Sequence, residues 1–448
     1  MAQLPAQPTV AFILATHNRG PVVTDCLRHT LNCGLPASQF IITVVDNAST
    51  DDTPALLRAL AAEHGNIQVI RLPSNRGPVA KNFALQNNPA DILVLLDDDA
   101  YPLPGSVRQM IRHFHDDPHL AAAVFDVALP DGTQEASAYP DVFIGAGTAL
   151  RAAALKALPA SGPGSGGRGG PLLPRDFFMQ AEEYDLSFRL LAAGHSVQRF
   201  WDMPLLHLKT PNARIGHRTT RLDVRNNLYL LAKYLPEPLC HQFAADWLDR
   251  YWRMALQRDQ NAAPGQPPRL HKKAFMQGAA EGLARWHQQR RGGLCLLPPT
   301  VIEKIFKFSA IEQRLHRAMQ HFNLRRIAFA DLGKNMLPFH RAAARLGLKV
   351  AAIVDHNLAD PVNAASNDYR GIRLMNEPTF RTATLAAPVD ALVLTAVSPV
   401  HARRRASALR RVFSVPVLDL FSKGHIMSPN SGSSAPISSS AVPDTPFL

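Results

Sequence analysis

Apolar residues set two rhythms along this chain. Short β-branched runs, "VAFILAT" (10–16), "FIITVVD" (40–46), "IQVIRL" (67–72) and "DILVLLD" (91–97), are separated by stretches such as "GPVVTDCLRHTLNC" and "TPALLRALAAEHG", whose apolar positions return with helical spacing. Alternation of this kind predicts βαβ units and a mainly parallel sheet, and strands so continuously apolar predict cover on both faces. The pattern runs through residues 1–235, gives way to a basic helical region over 236–323, and resumes over 324–425 with "RIAFADLG", "LKVAAIVD", "DALVLTAV" and "VPVLDLF" as strands. The predicted class is α/β: a Rossmann-like mixed, mainly parallel sheet domain, the helical region, and a second, smaller Rossmann-like α/β domain. Residues 426–448 are Ser/Pro-rich, nearly uncharged and aperiodic, and are read as a disordered tail.

Composition narrows the class without naming a function. The chain has 448 residues and 46% hydrophobic content, enough for two or three cores. No apolar run approaches the ~18 residues of a membrane-spanning helix, and "MAQLPAQPTVAF" has no basic region leading into an apolar core, so a cytoplasmic location is expected. Cys26, Cys33, Cys240 and Cys295 form no close pair, which argues against zinc and for small buried side chains. Lys and Arg number 48 against 36 Asp and Glu, a net charge of +12. The surplus concentrates in residues 241–320, with 13 basic against 6 acidic residues, and in "HARRRASALRR" (401–411). It favours phosphate-bearing partners, whether nucleotide, anionic lipid or nucleic acid.

The candidate chemistry lies where the apolar runs stop. The fourth run ends on Asp97, Asp98 and Asp99, three adjacent carboxylates whose mutual repulsion calls for water or a cation. In an open parallel sheet ligands sit beyond the carboxyl ends of the strands. The first run ends in "THNR" (16–19), the second in "DNASTDDT" (46–53), and "SNRGPVAKN" (74–82) follows the third. Any one of these reads equally well as a turn or helix cap; four at one edge form a constellation.

That constellation resembles the family 2 glycosyltransferases, inverting enzymes of the GT-A fold, and in particular bacterial rhamnosyl- and galactofuranosyltransferase-like proteins. The resemblance covers residues 10 to about 235 and extends loosely through "MQGAAEGLARW" (276–286). It implies that Thr16, Asn18 and Arg19 line the nucleotide pocket, that Asp46 meets the base, and that Asn75, Gly77 and Lys81 shape the donor site. Asp97–Asp99 match the family's DxD motif, in which the first aspartate meets ribose or sugar and the last, Asp99, binds a divalent metal on the donor diphosphate. Chemistry supports this independently, because a departing diphosphate needs its charge neutralised and carboxylate oxygens suit Mg²⁺ or Mn²⁺.

A second acidic stretch is "MQAEEYDLSFRLLAAGHSV" (179–197). Asp185 and Arg189, one turn apart, read as an ion pair, and Glu182 and Glu183 suit a helix start. The resemblance places the catalytic base in this pair, with Glu183 as the base and Glu182 beside it. It also places His207, after an apolar run in "WDMPLLHLKTPNARIGHR", at the metal; a lone histidine is otherwise usually structural. Gly145 and Gly147 in "FIGAGTALRAAAL" either let an acceptor approach the backbone or permit a turn. "SGPGSGGRGGP" (161–171) lacks the Gly-Lys-Ser/Thr ending of a phosphate loop and reads as a lid or a disordered insert. The second α/β domain has only Gly333 where a dinucleotide fingerprint needs three glycines, so no such cofactor is expected there.

The expected function is transfer of a sugar from a UDP- or dTDP-sugar to a hydroxyl of a glycan or lipid-linked acceptor, as in cell-envelope polysaccharide synthesis, with peripheral contact to anionic membrane. The alternatives are a nucleotidyltransferase, which needs no Glu183 and carries a Gly-rich basic loop where this chain has "THNRGP", and a nucleic-acid-binding protein, for which no aromatic-interleaved basic strand speaks. No nucleic-acid partner is expected.

Overall fold

The computed structural model describes residues 3–86, 88–158, 171–210, 216–262, 267, 269–292, 296–356, 358 and 368–422. Most of the glycine-rich stretch at 161–171, Cys295 and the Ser/Pro-rich tail therefore lie outside the described residues.

The first sheet has nine strands: β1 (Val10–Thr16), β2 (Phe40–Asp46), β3 (Ile67–Arg71), β4 (Ile92–Leu95), β5 (Ala100–Pro102), β6 (Leu120–Ala128), β7 (Gln134–Glu135), β8 (Thr148–Arg151) and β9 (Ser196–His207). Their order is β3-β2-β1-β4-β8-β6-β9-β5, with β7 paired to β6. The parallel expectation holds for β3-β2-β1-β4 and for β6 with β9. The pairings β4-β8, β8-β6, β6-β7 and β9-β5 are antiparallel, so the sheet is mixed throughout its second half. Each apolar run serves two faces: in β1, Val10, Phe12 and Leu14 enter a core under helices Gly20–Leu31 and Ser106–Asp116, whereas Ala11 and Ile13 enter the opposite core.

Helices Gly216–Tyr234, Leu239–Gln260, Leu270–Gly292, Pro299–Phe306 and Phe308–Phe322 follow. None of the described helices is long and apolar enough to cross a membrane. The second sheet comprises β10 (Arg326–Ala330), β11 (Lys349–Val354), β12 (Asp368–Tyr369), β13 (Ile372–Met375), β14 (Ala391–Leu394) and β15 (Val417–Leu418), ordered β12-β13-β11-β10-β14-β15 and parallel except for β12 with β13. It repeats the two-face device, with Ile327 and Phe329 of β10 facing inward and Ala328 and Ala330 buried in a separate core on the other face. The inward face is continuous with the core that holds Ala11, Ile13, Tyr139, Leu186 and Phe306. Cys26, Cys33 and Cys240 are buried and unpaired.

Candidate active site

The strand ends do converge on one edge of the first sheet. Thr16 and Asp46 are register partners at the ends of β1 and β2, and β4 runs directly into Asp97–Asp99. Thr16 donates its hydroxyl to Asp98 Oδ2 at 2.8 Å. The Arg19 guanidinium spans Asp98 and Asp99, reaching Asp99 Oδ2 at 2.9 Å. Lys81, buried at the end of a 3-10 turn, donates to Asp97 Oδ1 at 3.1 Å. Asp97 thus meets Lys81, while Asp98 and Asp99 share Arg19, and that is how the fold tolerates their adjacency. Burial raises the Asp98 pKa to about 6 against the pull of Arg19 and Thr16. Burial also opposes ionisation of Asp99, but hydrogen bonds from His207, Thr210 and Arg19 outweigh it and hold that carboxyl far below the usual range.

His207 arrives through the antiparallel pairing of β5 with β9, which sets it opposite Ala100. Its Nε2 lies 3.3 Å from Asp99 Oδ1, and its Nδ1 lies 2.7 Å from Glu135 Oε2. Burial lowers the histidine's pKa, yet the two carboxylates raise it to about 9. A separation of 3.3 Å between an oxygen and a ring nitrogen suits neighbouring ligands of a small cation whose bonds are about 2.1 Å long. The carboxylate on Nδ1 orients the ring in the manner of an outer-shell partner.

Around this centre the other expected residues take more varied places. Asp46 is fully buried; its Oδ1 accepts from Ser49 N at 2.9 Å, and its Oδ2 has Arg71 at 3.5 Å but no hydrogen bond. Asn18 is spent on the neighbouring loop, accepting from Thr50 N at 2.7 Å. Asn75 is exposed and caps its own turn through Gly77 N at 2.8 Å. Gly77 has φ +66°, and a Cβ there would lie 2.5 Å from the Phe178 carbonyl, so only glycine fits.

Glu182 and Glu183 open helix Glu182–Ala192. Phe178, Gln180 and Ala181 just before it adopt φ of +64°, +74° and +68°, and the buried Asn226 side chain donates to the carbonyls of Phe177, Met179 and Gln180 at 3.1, 2.8 and 2.8 Å. Left-handed conformations at three non-glycine residues persist because this side chain over-determines them. Asp185 pairs with Arg189 at 3.0 Å, as its spacing suggests, and also accepts from Lys233 and Tyr234 at 2.7 Å each. Glu182 is buried with Oε2 lacking any hydrogen-bond partner; burial, then the charge of Glu183, pushes its pKa well above the usual carboxylate range. Glu183 is half-buried and, with Asp97, Glu135, Gly145 and Asp223, lines a cavity of about 240 Å³. A Cβ on Gly145 would stand 3.0 Å from Glu183 Oε1, so the missing side chain keeps that carboxylate clear. Gly147 is not among the residues lining this cavity; its φ of +144° and the nearness of Leu205 account for the glycine.

Four residues at the site escape the sequence reading. Glu135 belongs to a two-residue strand, and only Asp131-Gly132, a hairpin dipeptide, announces the turn that carries it to His207. Thr210 donates its backbone N–H to Asp99 Oδ2 at 2.9 Å, Asn47 staples Gly77 and Arg76, and Asn226 holds the loop before Glu182.

Residues 11–157 match the family model described as glycosyl transferase family 2. This region is a family 2 glycosyltransferase domain. The chain is 27% identical over 96 residues to glycosyltransferase AglE of Haloferax volcanii, covering 21% of this chain and 32% of AglE. It is 30% identical over 108 residues to the succinoglycan biosynthesis protein ExoU of Rhizobium meliloti, covering 24% of this chain and 31% of that protein. The chain thus spans about a third of the length of these relatives. Among solved structures, the mannosyltransferase PcManGT from Pyrobaculum calidifontis, in complex with GDP-Man and Mn²⁺, aligns with 77% of this chain and 89% of its own, at a TM-score of 0.40 and 20% identity. The matched span contains Asp97–Asp99, and the strand that delivers His207 lies beyond it.

Proposed function

We propose that the chain is an inverting, metal-dependent glycosyltransferase that moves a sugar from a UDP- or dTDP-sugar to a hydroxyl of a glycan or lipid-linked acceptor. The observation that carries this reading is a cavity lined by both Asp97 and Glu183. A donor diphosphate seated against Asp97–Asp99 leaves its sugar pointing towards a carboxylate able to take a proton.

In this reading Thr16, Asn18 and Arg19 border the nucleotide, the unbonded Asp46 Oδ2 receives an N–H of the base, and Asn75 and Gly77 shape the turn beneath it. Asp97 and Asp98 meet ribose and sugar. Asp99 and His207 hold Mn²⁺ or Mg²⁺, which supplies Lewis-acid neutralisation of the leaving diphosphate. Gly145 leaves room for the acceptor beside Glu183, and Gly147 fixes the bend that precedes it. The acceptor oxygen attacks the anomeric carbon, the carbon–oxygen bond to the diphosphate breaks, and Glu183 takes the hydroxyl proton. Burial and the charge of Glu183 favour the protonated form of Glu182, so Glu183 is taken as the base and Glu182 as its neighbour.

Residues 1–235 are read as the GT-A domain, 236–323 as the helical connector and 324–425 as a Rossmann-like accessory domain. The location is read as cytoplasmic, with Arg403, Arg404, Arg410 and Arg411 exposed towards anionic lipid at the inner face of the membrane; Arg405, in contrast, is drawn inward by Asp331 and Glu377. Incubation with a panel of nucleotide sugars, with and without Mn²⁺, tests the central claim. Metal-dependent release of nucleoside diphosphate from one donor is expected; release from none, with Mn²⁺ present, refutes it.

A further inference from the structure

The carboxyl edge of the second sheet holds a cavity of about 370 Å³, larger than the one around Glu183. It opens where β10, β11 and β14 end, between the second sheet and helix Leu239–Gln260, which is where open α/β sheets receive ligands. The two cavities share Ala138, Tyr184, Asp223 and Lys334 as a common wall.

The groups in this crevice are unevenly satisfied. Asp331 is engaged through both oxygens, with His356 Nδ1 at 3.0 Å and Arg405 Nε at 2.7 Å, and Asp355 accepts from Leu332 N at 2.9 Å. One donor and one acceptor have capacity left: Arg405 Nη2 is buried with no hydrogen-bond partner, and so is the amide oxygen Oδ1 of Asn335, a residue only 4% exposed. Buried polar atoms without partners are costly, and both of these belong to residues that line this cavity. Asn335 also precedes helix Met336–Arg345, and its side chain forms no cap, so the positive end of that helix faces the cavity uncapped.

The cations agree. Lys334 is enclosed between the rings of Tyr184 and Trp247 at 4.5 and 4.6 Å, donates to Asn227 at 2.9 Å, and has its backbone carbonyl fixed by Tyr139 and Trp247 at 3.1 Å each. Burial pushes its pKa down to about 7, against the attraction of Asp223 and Glu183 and with the repulsion of Arg250. An anion alongside would reverse that depression. Arg250 and Arg253 line the same space.

We propose that this crevice is a second ligand site, separate from the nucleotide cleft, that binds a soluble phosphorylated sugar, with the phosphate met by Arg405 Nη2, Arg250, Lys334 and the helix end, and a sugar hydroxyl donating to Asn335 Oδ1. The site stands whether or not the first cleft transfers sugar.

The test is calorimetric titration of the full chain with glucose 1-phosphate and, separately, inorganic phosphate. Saturable binding of glucose 1-phosphate is expected, tighter than that of inorganic phosphate. Lys334→Met and Arg250→Gln should each weaken it about tenfold or more, whereas Asp99→Asn should leave it unchanged. Arg250 is half-exposed, so its variant keeps the test sound if Lys334→Met melts early. The proposal is overturned by absence of saturable binding, by equal affinity for inorganic phosphate, or by binding that survives both substitutions. Titration of the unaltered chain with UDP and Mg²⁺ separately tests the nucleotide cleft.

Discussion

The two sheets present the same kind of edge with opposite electrical character. At the first, Asp97, Asp98 and Asp99 are gathered beside Asp46, Glu135 and Glu183, and the buried oxygens left without hydrogen bonds belong to carboxylates, Asp46 Oδ2 and Glu182 Oε2. At the second, Asp331 and Asp355 already have partners, and an arginine nitrogen, Arg405 Nη2, is left over beside one amide oxygen, Asn335 Oδ1. An edge short of positive charge is suited to take up a cation with its nucleotide; an edge with a spare arginine N–H is suited to an anion. Architecture alone therefore does not decide what a strand end binds; the bonding its neighbours leave unfinished does.

The largest expected effect breaks the first half of this contrast. Excess EDTA should reduce transfer to background and Mn²⁺ should restore it, whereas glucose 1-phosphate binding at the second edge should be indifferent to both; calorimetry and product assay together check this. Next, Glu183→Gln should lower turnover ~10²-fold or more with nucleoside diphosphate binding intact. Glu182→Gln, which copies the protonated form that burial favours, should keep most activity, and the reverse result would exchange the roles of the pair. A smaller effect is expected from Glu135→Gln, which leaves His207 in place but removes its orienting carboxylate: metal affinity should fall by ~10-fold or more, read by Mn²⁺ titration.

The smallest effect sharpens the second half. Lys334 faces Glu183 and Tyr184 from the acidic helix, Asp223 and Asn227 from helix Gly216–Tyr234, and Trp247, Arg250 and Tyr251 from helix Leu239–Gln260. With its pKa near 7, an anion binds best to the protonated form, so affinity for glucose 1-phosphate should fall as pH rises above about 7, by at most tenfold per unit. Lys334→Met should flatten that limb of the profile.

The sequence disclosed this contrast unequally. The strands β1–β4, β10, β11 and β14 were legible because buried parallel strands are written as continuous apolar runs, and the aspartates were legible because they follow one of those runs. The antiparallel half of the first sheet was not: β7 has two residues and β5 three, too short for any periodicity, yet they bring Glu135 and Asp99 to His207. Asn226 sits inside an ordinary helical pattern, and nothing in its neighbours announces that it holds a loop 46 to 49 residues upstream. At the second edge, the shortage of glycines argued against a dinucleotide but could not disclose a cavity, because its walls come from helix Leu239–Gln260 as well as from the sheet.

One feature of the packing reaches beyond either site. Because Ile13 of β1 and Phe329 of β10 belong to a single apolar core, and the Lys334 carbonyl is held by side chains from two other parts of the chain, neither sheet can shed its neighbour without exposing Phe306, Tyr139 and Trp247 to water. Cooperativity follows: the described chain should melt in one calorimetric transition, and the amides of Ile13 and Phe329 should exchange with solvent through the same global opening. A phosphorylated sugar at the second edge would then raise the melting temperature of the first, so that the two edges share one stability even where they share no ligand.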